Sequence, residues 1–221
     1  MIVAARNEAD RVGATVAALA DAFPGADLVV ADDASTDGTA EVARRAGARV
    51  VRGERSRGKG ANVTAAAESV LAGSAPATVL LCDADLGSSA ERLVPLVEAV
   101  EAGDCDLAIA VFRRRIGGGF GLAVGYARRV IERLTGLQLD APISGQRAMR
   151  AEVLRDTLPF AAGFGIEVGM TVDAHRAGHR VREIELDLEH RATHRTLAGF
   201  LHRGRQLRDF ARVYRDRRRR G

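Results

Sequence analysis

The sequence of 221 residues has no tryptophan, two cysteines and one lysine. The scarcity of tryptophan and of cysteine each argues against a class of protein, and the single lysine is a candidate site residue. Cys82 and Cys105 supply no disulfide framework, which is typical of a reducing cytoplasm. Without tryptophan, a zinc-finger pattern or basic strands interleaved with aromatic residues, nothing indicates nucleic-acid binding. The first residues lack the basic region and long apolar core of a signal peptide, and no apolar run approaches membrane-spanning length. We therefore expect a cytoplasmic protein, with 47% apolar residues to build its core.

Positive charge is concentrated at one end of the chain. Residues 202–220 contain nine Arg and two Asp, a net charge of +7, which leaves −3 on residues 1–201 because the whole chain carries +4. We accordingly expect a catalytic domain at 1–201 and a basic C-terminal helix or tail at 202–221. Apolar residues recur along one face of this segment, at Leu201, Leu207, Phe210 and Val213. The arginines between them are either solvated or attracted to anionic lipid headgroups at the inner face of a membrane.

Short apolar runs alternate with helical patterns in the first half of the chain. This alternation predicts a single α/β domain with a mostly parallel, Rossmann-like sheet and helices on both faces. The strands are expected at 2–5, 28–31, 49–52, 78–82 and 106–112. Ser89 is expected to cap a helix that ends at Ala102. The second half is less regular, with a Gly-rich loop at 113–121, a short segment around 146–149 and a long alternating strand at 180–188.

Polar residues follow three of the predicted strands. They are Arg6-Asn7-Glu8 after the first, Asp32-Asp33-Ala34-Ser35-Thr36-Asp37-Gly38 after the second, and Asp83-Ala84-Asp85 after the fourth. Turns favour such residues for local reasons, so one such cluster would be weak evidence of a binding site. Ligands of open α/β sheets bind where strands end, and three clusters at one edge therefore predict a binding site there.

Asp83 and Asp85 form the sharpest pattern in the sequence. Two residues apart on an extended chain, their side chains face the same side and repel one another unless a cation lies between them. A divalent ion such as Mg²⁺ or Mn²⁺, shared with phosphate oxygens, resolves this repulsion. The alternative is that these carboxylates only cap the next helix or shape a turn.

Lys59, the single lysine, stands between Gly58 and Gly60, where the missing side chains allow a close approach to a ligand. The alternative is an exposed surface lysine. The spacing of a P-loop is absent here, and the first turn lacks the glycines of a dinucleotide fingerprint. Glu167 lies near a helix start, where the helix dipole alone favours an acid. His190, at the end of the last strand, could add a nitrogen ligand to the two aspartates of a metal site.

Together these residues resemble family 2 glycosyltransferases with the nucleotide-diphospho-sugar transferase fold (GT-A type). The resemblance rests on the stretch from Val29 to Thr39, on Lys59 and on Asp83-Ala84-Asp85. It implies a nucleoside-diphosphate-sugar donor, with UDP favoured, and a Mg²⁺ or Mn²⁺ cofactor. The implied donor-binding residues are Ala4, Arg6, Glu8, Asp33, Ser35, Lys59, Asp83, Ala84 and Asp85. Among them, Asp33 is expected to bind the uracil ring.

The second half resembles two groups within this family. Residues 143–150 are similar to the acceptor side of polyprenyl-phosphate sugar transferases, whereas 159–169 and Glu189-His190-Arg191 are similar to glucosyl-3-phosphoglycerate synthases. The resemblance implies metal ligation by Asp83, Asp85 and His190, and acceptor binding by Gly145, Gln146, Arg147 and Arg191. The chain departs from the synthases at Gly119-Phe120-Gly121-Leu122, which lacks the Arg and Thr that hold their acceptor phosphate.

The implied reaction is metal-dependent sugar transfer to a phosphorylated small molecule or a polyprenyl phosphate, with Asp85 and Glu167 as catalytic residues. Glu167 acts as a general base if the reaction inverts the sugar and positions the donor if it retains it. A sugar-phosphate nucleotidyltransferase and a non-catalytic nucleotide-sugar-binding module are the alternatives. A homodimer is one assembly that the sequence allows.

Overall fold

The computed structural model describes residues 1–73, 76–112, 121–187 and 197–219, with all side chains except those of 112 and 197–206. The strands in these ranges are β1 (Ile2–Ala5), β2 (Val29–Asp32), β3 (Arg49–Arg52), β4 (Thr78–Asp83), β5 (Leu107–Phe112), β6 (Arg147–Arg150) and β7 (Val181–Leu186). The helices are α1 (Val12–Ala22), α2 (Thr39–Arg45), α3 (Lys59–Leu71), α4 (Val94–Glu101), α5 (Gly121–Thr135), α6 (Ala151–Thr157), α7 (Ile166–Arg176) and α8 (Leu197–Arg218). Two 3₁₀ helices span Ala84–Leu93 and Gly163–Gly165.

The strands form one mostly parallel sheet in the order β3-β2-β1-β4-β6-β5-β7, which confirms the expected fold class. Only β6 runs antiparallel among the described strands, between β4 and β5. β1 pairs with β2 on one side and with β4 on the other, both in parallel. The chain therefore changes direction across the sheet at β1, and the crevice beyond the carboxyl ends of β1 and β4 is where such folds bind ligands.

β4 shows why this sheet needs helices on both faces. Its side chains alternate between two apolar cores, with Val79 and Leu81 in one and Leu80 and Cys82 in the other. All four are at most 5% exposed, as expected of a central strand covered on both sides. The first core is completed by α3, α5, α6, α7 and α8, and the second mainly by α1, α4 and the first 3₁₀ helix.

Two parts of the fold differ from the sequence expectations. Ser89 does not cap a helix: helical turns already begin at Ala84, and the Ser89 hydroxyl donates to the carbonyl oxygen of Leu86 at 2.7 Å. The kink that separates these turns lies at Gly87, whose φ of +57° favours glycine. The short segment around 146–149 is a sheet strand, β6, and the last alternating strand is shorter than expected, ending at Leu186. The loop expected at 113–121 lies almost wholly outside the described residues.

The C-terminal helix packs on the body of the molecule. α8 is continuous across the expected boundary between 201 and 202 and rests on α5 and on Gly163–Gly165. Phe210 and Val213 are buried, while Leu207 is 36% exposed. Within the described residues, no helix is both long enough and apolar enough to cross a bilayer.

Candidate active site

The loops after β1 and β2 are tied together by side-chain hydrogen bonds. The amide of Asn7 donates to Ser35 Oγ, and Asn7 Oδ1 accepts from the amide of Thr36, each at 2.9 Å. The amide of Glu8 donates to Thr39 Oγ1 at 2.9 Å. Asn7 has a φ of +54°, a conformation that Asn tolerates better than most residues. Ser35, expected to bind the donor, is buried and holds these two loops in place.

Asp33 organises the segment that leads to the single lysine. Its carboxylate accepts hydrogen bonds from Ser56 Oγ at 2.7 Å and from the amides of Arg57 and Gly58 at 2.9 and 3.2 Å. The guanidinium of Arg6 lies 3.8 Å from the same carboxylate. Two residues expected to bind the nucleotide, Arg6 and Asp33, are thereby linked to the segment that ends at Gly58, directly before Lys59, along one edge of the sheet.

Lys59 lies between two carboxylates. Its Nζ is 2.7 Å from Asp83 Oδ1 and 2.8 Å from Glu167 Oε1, although these residues are far apart in sequence. Burial alone would lower the pKa of Lys59, but the charges of Asp83 and Glu167 outweigh it and raise the pKa well above its ordinary value. The lysine is therefore a fixed positive charge, and its side chain is still 27% exposed at the crevice.

Gly145 and Gln146 pack directly against this ion pair. Gln146 Nε2 donates to Asp83 Oδ2 at 3.0 Å, so both oxygens of Asp83 contact protein groups. A Cβ on Gly145 would overlap Asp83 Oδ2 and lie 2.8 Å from Lys59 Nζ. Only glycine fits at position 145 without displacing the pair. Ala4 of β1 lines the same small cavity as Lys59, Gly145 and Glu167.

The Asp83-Ala84-Asp85 turn is held by Thr15 of α1 and by Arg11, which directly precedes this helix; neither was identified from the sequence. Thr15, which is fully buried, donates its hydroxyl to the carbonyl oxygen of Ala84 at 2.7 Å and accepts from the amide of Gly87 at 2.8 Å. Arg11 Nη1 donates to the carbonyl oxygen of Asp85 at 2.9 Å. A Thr in the middle of an amphipathic helix gives no local sequence signal for this role.

Negative charge accumulates around Asp85. Burial, together with the neighbouring carboxylate of Asp85, raises the pKa of Glu8 above its usual range. Glu8 follows β1 and Asp85 follows β4, so their proximity confirms that polar groups from separate strand ends converge at this edge. Both are oxygen donors of the kind that hard divalent cations prefer.

Arg147 is placed differently from the expectation that it binds the acceptor. It is 1% exposed, and its guanidinium donates to the carbonyl oxygens of Ser144 and Pro142 and to Thr171 Oγ1 at 2.8, 3.2 and 2.9 Å. Burial lowers the pKa of Arg147 to about 10, so the group is still charged at neutral pH. Arg147 therefore supports the 142–146 segment from beneath, because β6 turns its side chain into the protein interior.

Two expected site residues, His190 and Arg191, lie outside the described residues. In the part of the chain that the structure describes, no three His, Cys, Asp or Glu side chains are clustered to hold a metal. Cys82, behind Asp83, is a buried free thiol, and burial raises its pKa to about 12, so it is not a nucleophile at neutral pH.

Comparison with known families agrees with this geometry. The sequence model of the family described as glycosyl transferase family 2 matches residues 1–158. The chain belongs to this family. It is therefore a glycosyltransferase that uses a nucleotide-sugar, which decides against the nucleotidyltransferase and the non-catalytic binding module.

Two curated relatives differ in their acceptors. Undecaprenyl-phosphate mannosyltransferase of Micrococcus luteus is 30% identical over 202 residues, covering 84% of this chain and 81% of that protein. Glucosyl-3-phosphoglycerate synthase of Mycolicibacterium paratuberculosis is 32% identical over 199 residues, covering 78% of this chain. The match spans only 58% of that synthase's length.

Solved structures of the glucosyl-3-phosphoglycerate synthase of Mycobacterium tuberculosis have the same fold. The complex with phosphoglyceric acid matches with a TM-score of 0.78 at 26% identity, covering 98% of this chain and 78% of that chain. The complex with Mn²⁺, UDP and glucosyl-3-phosphoglycerate matches with a TM-score of 0.77 at 25% identity and the same coverage. That synthase therefore binds a nucleoside diphosphate, a divalent metal and a phosphorylated acceptor on a shared scaffold.

Proposed function

We propose that this glycosyltransferase transfers a sugar from a UDP-sugar to a phosphorylated acceptor, with Mg²⁺ or Mn²⁺ as cofactor. The observation that carries the proposal is the placement of Lys59 between Asp83 and Glu167 at the carboxyl edge of the sheet. A fixed cation in that crevice stabilises the diphosphate that leaves the donor sugar. The UDP and Mn²⁺ bound by the M. tuberculosis synthase support the choice of donor and metal.

The nucleotide is assigned to the joined loops after β1 and β2. Arg6, Glu8 and Asp33 border this region, and Ser35 keeps the two loops at a fixed separation. In our proposal Asp33 has two roles, because the carboxylate that faces the uracil also orders residues 56–58 ahead of Lys59. Asp33 at the base and Lys59 at the phosphates are then held in a fixed relation to each other by the 56–58 segment.

The residues around β4 fit a divalent cation. Asp85 and Glu8 concentrate negative charge at the turn. Burial and, after it, the carboxylate of Asp85 raise the pKa of Glu8, and a cation would relieve the repulsion between the two carboxylates. We assign the main carboxylate ligand to Asp85, where this negative charge concentrates, with Asp83 beside the donor, next to Lys59 and Gln146, and His190 as the nitrogen ligand. When bound, the ion would act as a Lewis acid that neutralises charge on the diphosphate.

Glu167 is assigned to positioning. Its Oε1 accepts a hydrogen bond from Lys59 at 2.8 Å, and its side chain is 10% exposed. A polyprenyl phosphate attacks through a phosphate oxygen that is already anionic at neutral pH, so that acceptor needs no general base, whereas an acceptor that attacks through a hydroxyl does. We assign Glu167 to orienting Lys59 and the donor sugar, and we assign Gly145, Gln146 and Arg191 to the acceptor side.

Phosphorylated acceptors come from two sources, a polyprenyl phosphate or a soluble phosphorylated metabolite. The test measures nucleoside diphosphate released from a panel of donors with Mg²⁺, with Mn²⁺ or with a chelator. Each donor is assayed with undecaprenyl phosphate in detergent, with 3-phosphoglycerate, and without acceptor. We expect metal-dependent UDP release that only one acceptor class accelerates. UDP release that no phosphorylated acceptor accelerates would contradict the proposed acceptor class.

The metal assignment is tested by Asp85→Ala with Asp21→Ala, an exposed aspartate of α1, as the matched control. We expect Asp85→Ala to lose about 100-fold or more in turnover, since removing the Lewis acid costs several kcal/mol of transition-state stabilisation. Asp21→Ala should retain wild-type turnover. Full activity of Asp85→Ala, or of the wild type in chelator, would contradict a metal held at this turn.

A further inference from the structure

The C-terminal helix α8 rests on a turn that consists largely of glycine. The buried face of α8 presents Asp209, Phe210, Val213 and Arg217. This face covers the 3₁₀ helix Gly163–Gly165 and the first turns of α7, which carry Glu167. The basic end of the chain therefore lies directly behind a residue of the crevice.

Three glycines shape the seat for α8. A Cβ on Gly163 would overlap the carboxylate of Asp209, and Gly163 also has a φ of +61°. A Cβ on Gly165 would lie 2.7 Å from Val213 Cγ2, and one on Gly169 would lie 2.9 Å from the guanidinium of Arg217. Each contact is closer than real Cβ atoms adopt, so helix and turn pack at main-chain distance.

Polar contacts fix the helix on this seat at both ends. Asp209 Oδ2 accepts a hydrogen bond from the amide of Phe164 at 3.2 Å, at the turn before α7. Two turns further along α8, Arg217 pairs with Asp173 through two of its guanidinium nitrogens, Nε and Nη2, with Nε 2.9 Å from Asp173 Oδ1. Arg217 is 8% exposed and Asp173 is 24% exposed, so the guanidinium side of this ion pair is buried. Pairs of this kind hold a geometry because breaking one leaves a buried charge uncompensated.

The other side of the same turn contacts the residues that flank Lys59. A Cβ on Gly58 would lie 3.6 Å from Gly163 Cα, and a Cβ on Gly60 would overlap the carbonyl oxygen of Ala161. The turn is thus held between α8 and the start of α3. Its position sets both members of the Lys59–Glu167 pair, because Glu167 follows Gly165 by two residues.

We propose that Asp209 and Arg217 are positioning residues that hold Glu167 against Lys59 by fixing the 161–165 turn. This inference rests on the proposed role of the Lys59–Glu167 pair in sugar transfer. In this proposal α8 is needed for the geometry of the catalytic site, although the sequence of residues 202–221 predicts only a basic helix or tail. The helix contacts no reacting group and acts through the turn alone.

A chemical probe can test the inference without any turnover. Lys59 is the only lysine, so reductive methylation followed by mass spectrometry reports the accessibility of a single side-chain amine. In the wild type that amine is held between two carboxylates, so we expect it to react slowly. We expect Asp209→Ala to raise the methylation rate of Lys59 several-fold. Asp209→Asn keeps the acceptor for the Phe164 amide and should stay near wild type, as should Asp216→Ala, which removes an exposed aspartate of the same helix.

The kinetic readout separates positioning from a general loss of structure. Asp209→Ala should lower kcat about tenfold and change the KM for the donor less, because α8 packs on α5, α7 and Gly163–Gly165 rather than on the loops after β1 and β2 that we assign to the base. Asp209→Asn should restore kcat. Equal methylation and equal kcat in Asp209→Ala and Asp216→Ala would overturn the inference.

A second pair of variants covers the case in which Asp209→Ala does not fold. Arg217→Gln removes the ion pair with Asp173, while Arg218→Gln removes the same charge from the exposed side of α8. Faster Lys59 methylation in Arg217→Gln alone supports the inference, and equal rates contradict it. A wild type that turns over no donor would defeat the proposed function but leave the methylation comparison intact.

Discussion

Gly145 shows how much of the site depends on a missing side chain. Its φ is not in the left-handed region, so Gly145→Ala strains no backbone and acts only through the overlap with Asp83 and Lys59. We expect Gly145→Ala to displace that pair and to lower kcat about 100-fold, as misplacement of a catalytic group by about 1 Å does. The matched control is Gly125→Ala in α5, where a Cβ meets nothing within 4 Å. The measurement is kcat for UDP release together with the thermal midpoint, and equal kcat values for both variants would contradict this account.

Glu167 offers the sharpest distinction between a base and a positioning group. Removal of a general base costs typically 100- to 10,000-fold in rate. Gln at this position can still accept the hydrogen bond from Lys59, so we expect Glu167→Gln to lose only about tenfold in kcat with a polyprenyl phosphate acceptor. Glu167→Ala, which removes the hydrogen bond, should lose more. A loss of several thousand-fold in Glu167→Gln would assign the proton transfer to this residue after all.

At the scale of elements, α1 helps to hold the Asp83-Ala84-Asp85 turn in place. Thr15 satisfies the carbonyl of Ala84 and the amide of Gly87, both within the turn that follows β4. Leaving one buried polar group unsatisfied costs about 1–3 kcal/mol. Thr15→Val has nearly the same shape and breaks both bonds, whereas Thr15→Ser keeps them. We expect calorimetry to show about tenfold weaker metal-dependent UDP binding for Thr15→Val and near-normal binding for Thr15→Ser. Normal metal-dependent UDP binding by both variants would contradict a role of the Thr15 hydroxyl in holding this turn.

At the scale of the whole molecule, α8 has two different faces. One carries Asp209 and Arg217 into the body. The other, among the side chains described from 207 onwards, exposes Arg208, Arg212, Arg215 and Arg218, and Arg219 is exposed just beyond the end of the helix. Arg217 is therefore unavailable to a membrane, because its guanidinium is buried against Asp173. The two alternatives for the C-terminal arginines, solvation and lipid binding, therefore apply only to those on the outer face of α8.

We propose that the outer face of α8 binds anionic bilayers, where a polyprenyl phosphate acceptor would reside. The variant Arg218→Gln with Arg219→Gln should weaken sedimentation with anionic vesicles by about 2 kcal/mol, or roughly 30-fold, at about 1 kcal/mol per basic residue. Arg44→Gln with Arg45→Gln, two exposed arginines of α2, removes equal charge elsewhere and should have little effect. Binding should also weaken with salt. A wild type that stays in solution with anionic vesicles at low salt would favour a soluble acceptor.

The sequence by itself determined the parallel strands of the first half and the sheet edge at which the candidate site residues gather. It could do so because Asp33, Asp83 and Asp85 follow strands directly, and parallel strands bring their carboxyl ends together. Lys59 was also recognisable, as a single lysine between two glycines. These are local signals, carried by a few neighbouring residues and by a regular period.

Only the tertiary structure decided which distant groups meet. The insertion of β6 between β4 and β5 brings Gln146 to Asp83 and buries Arg147, and no periodicity in a four-residue strand predicts that register. Thr15 and Asp209 look ordinary in their helices, since their roles depend on main-chain groups 69 and 45 residues away in the chain. Local sequence encodes secondary structure and turns. Contacts between a side chain and backbone that is distant in the chain arise from packing. Packing depends on the entire sequence and gives no signal in a short stretch of it.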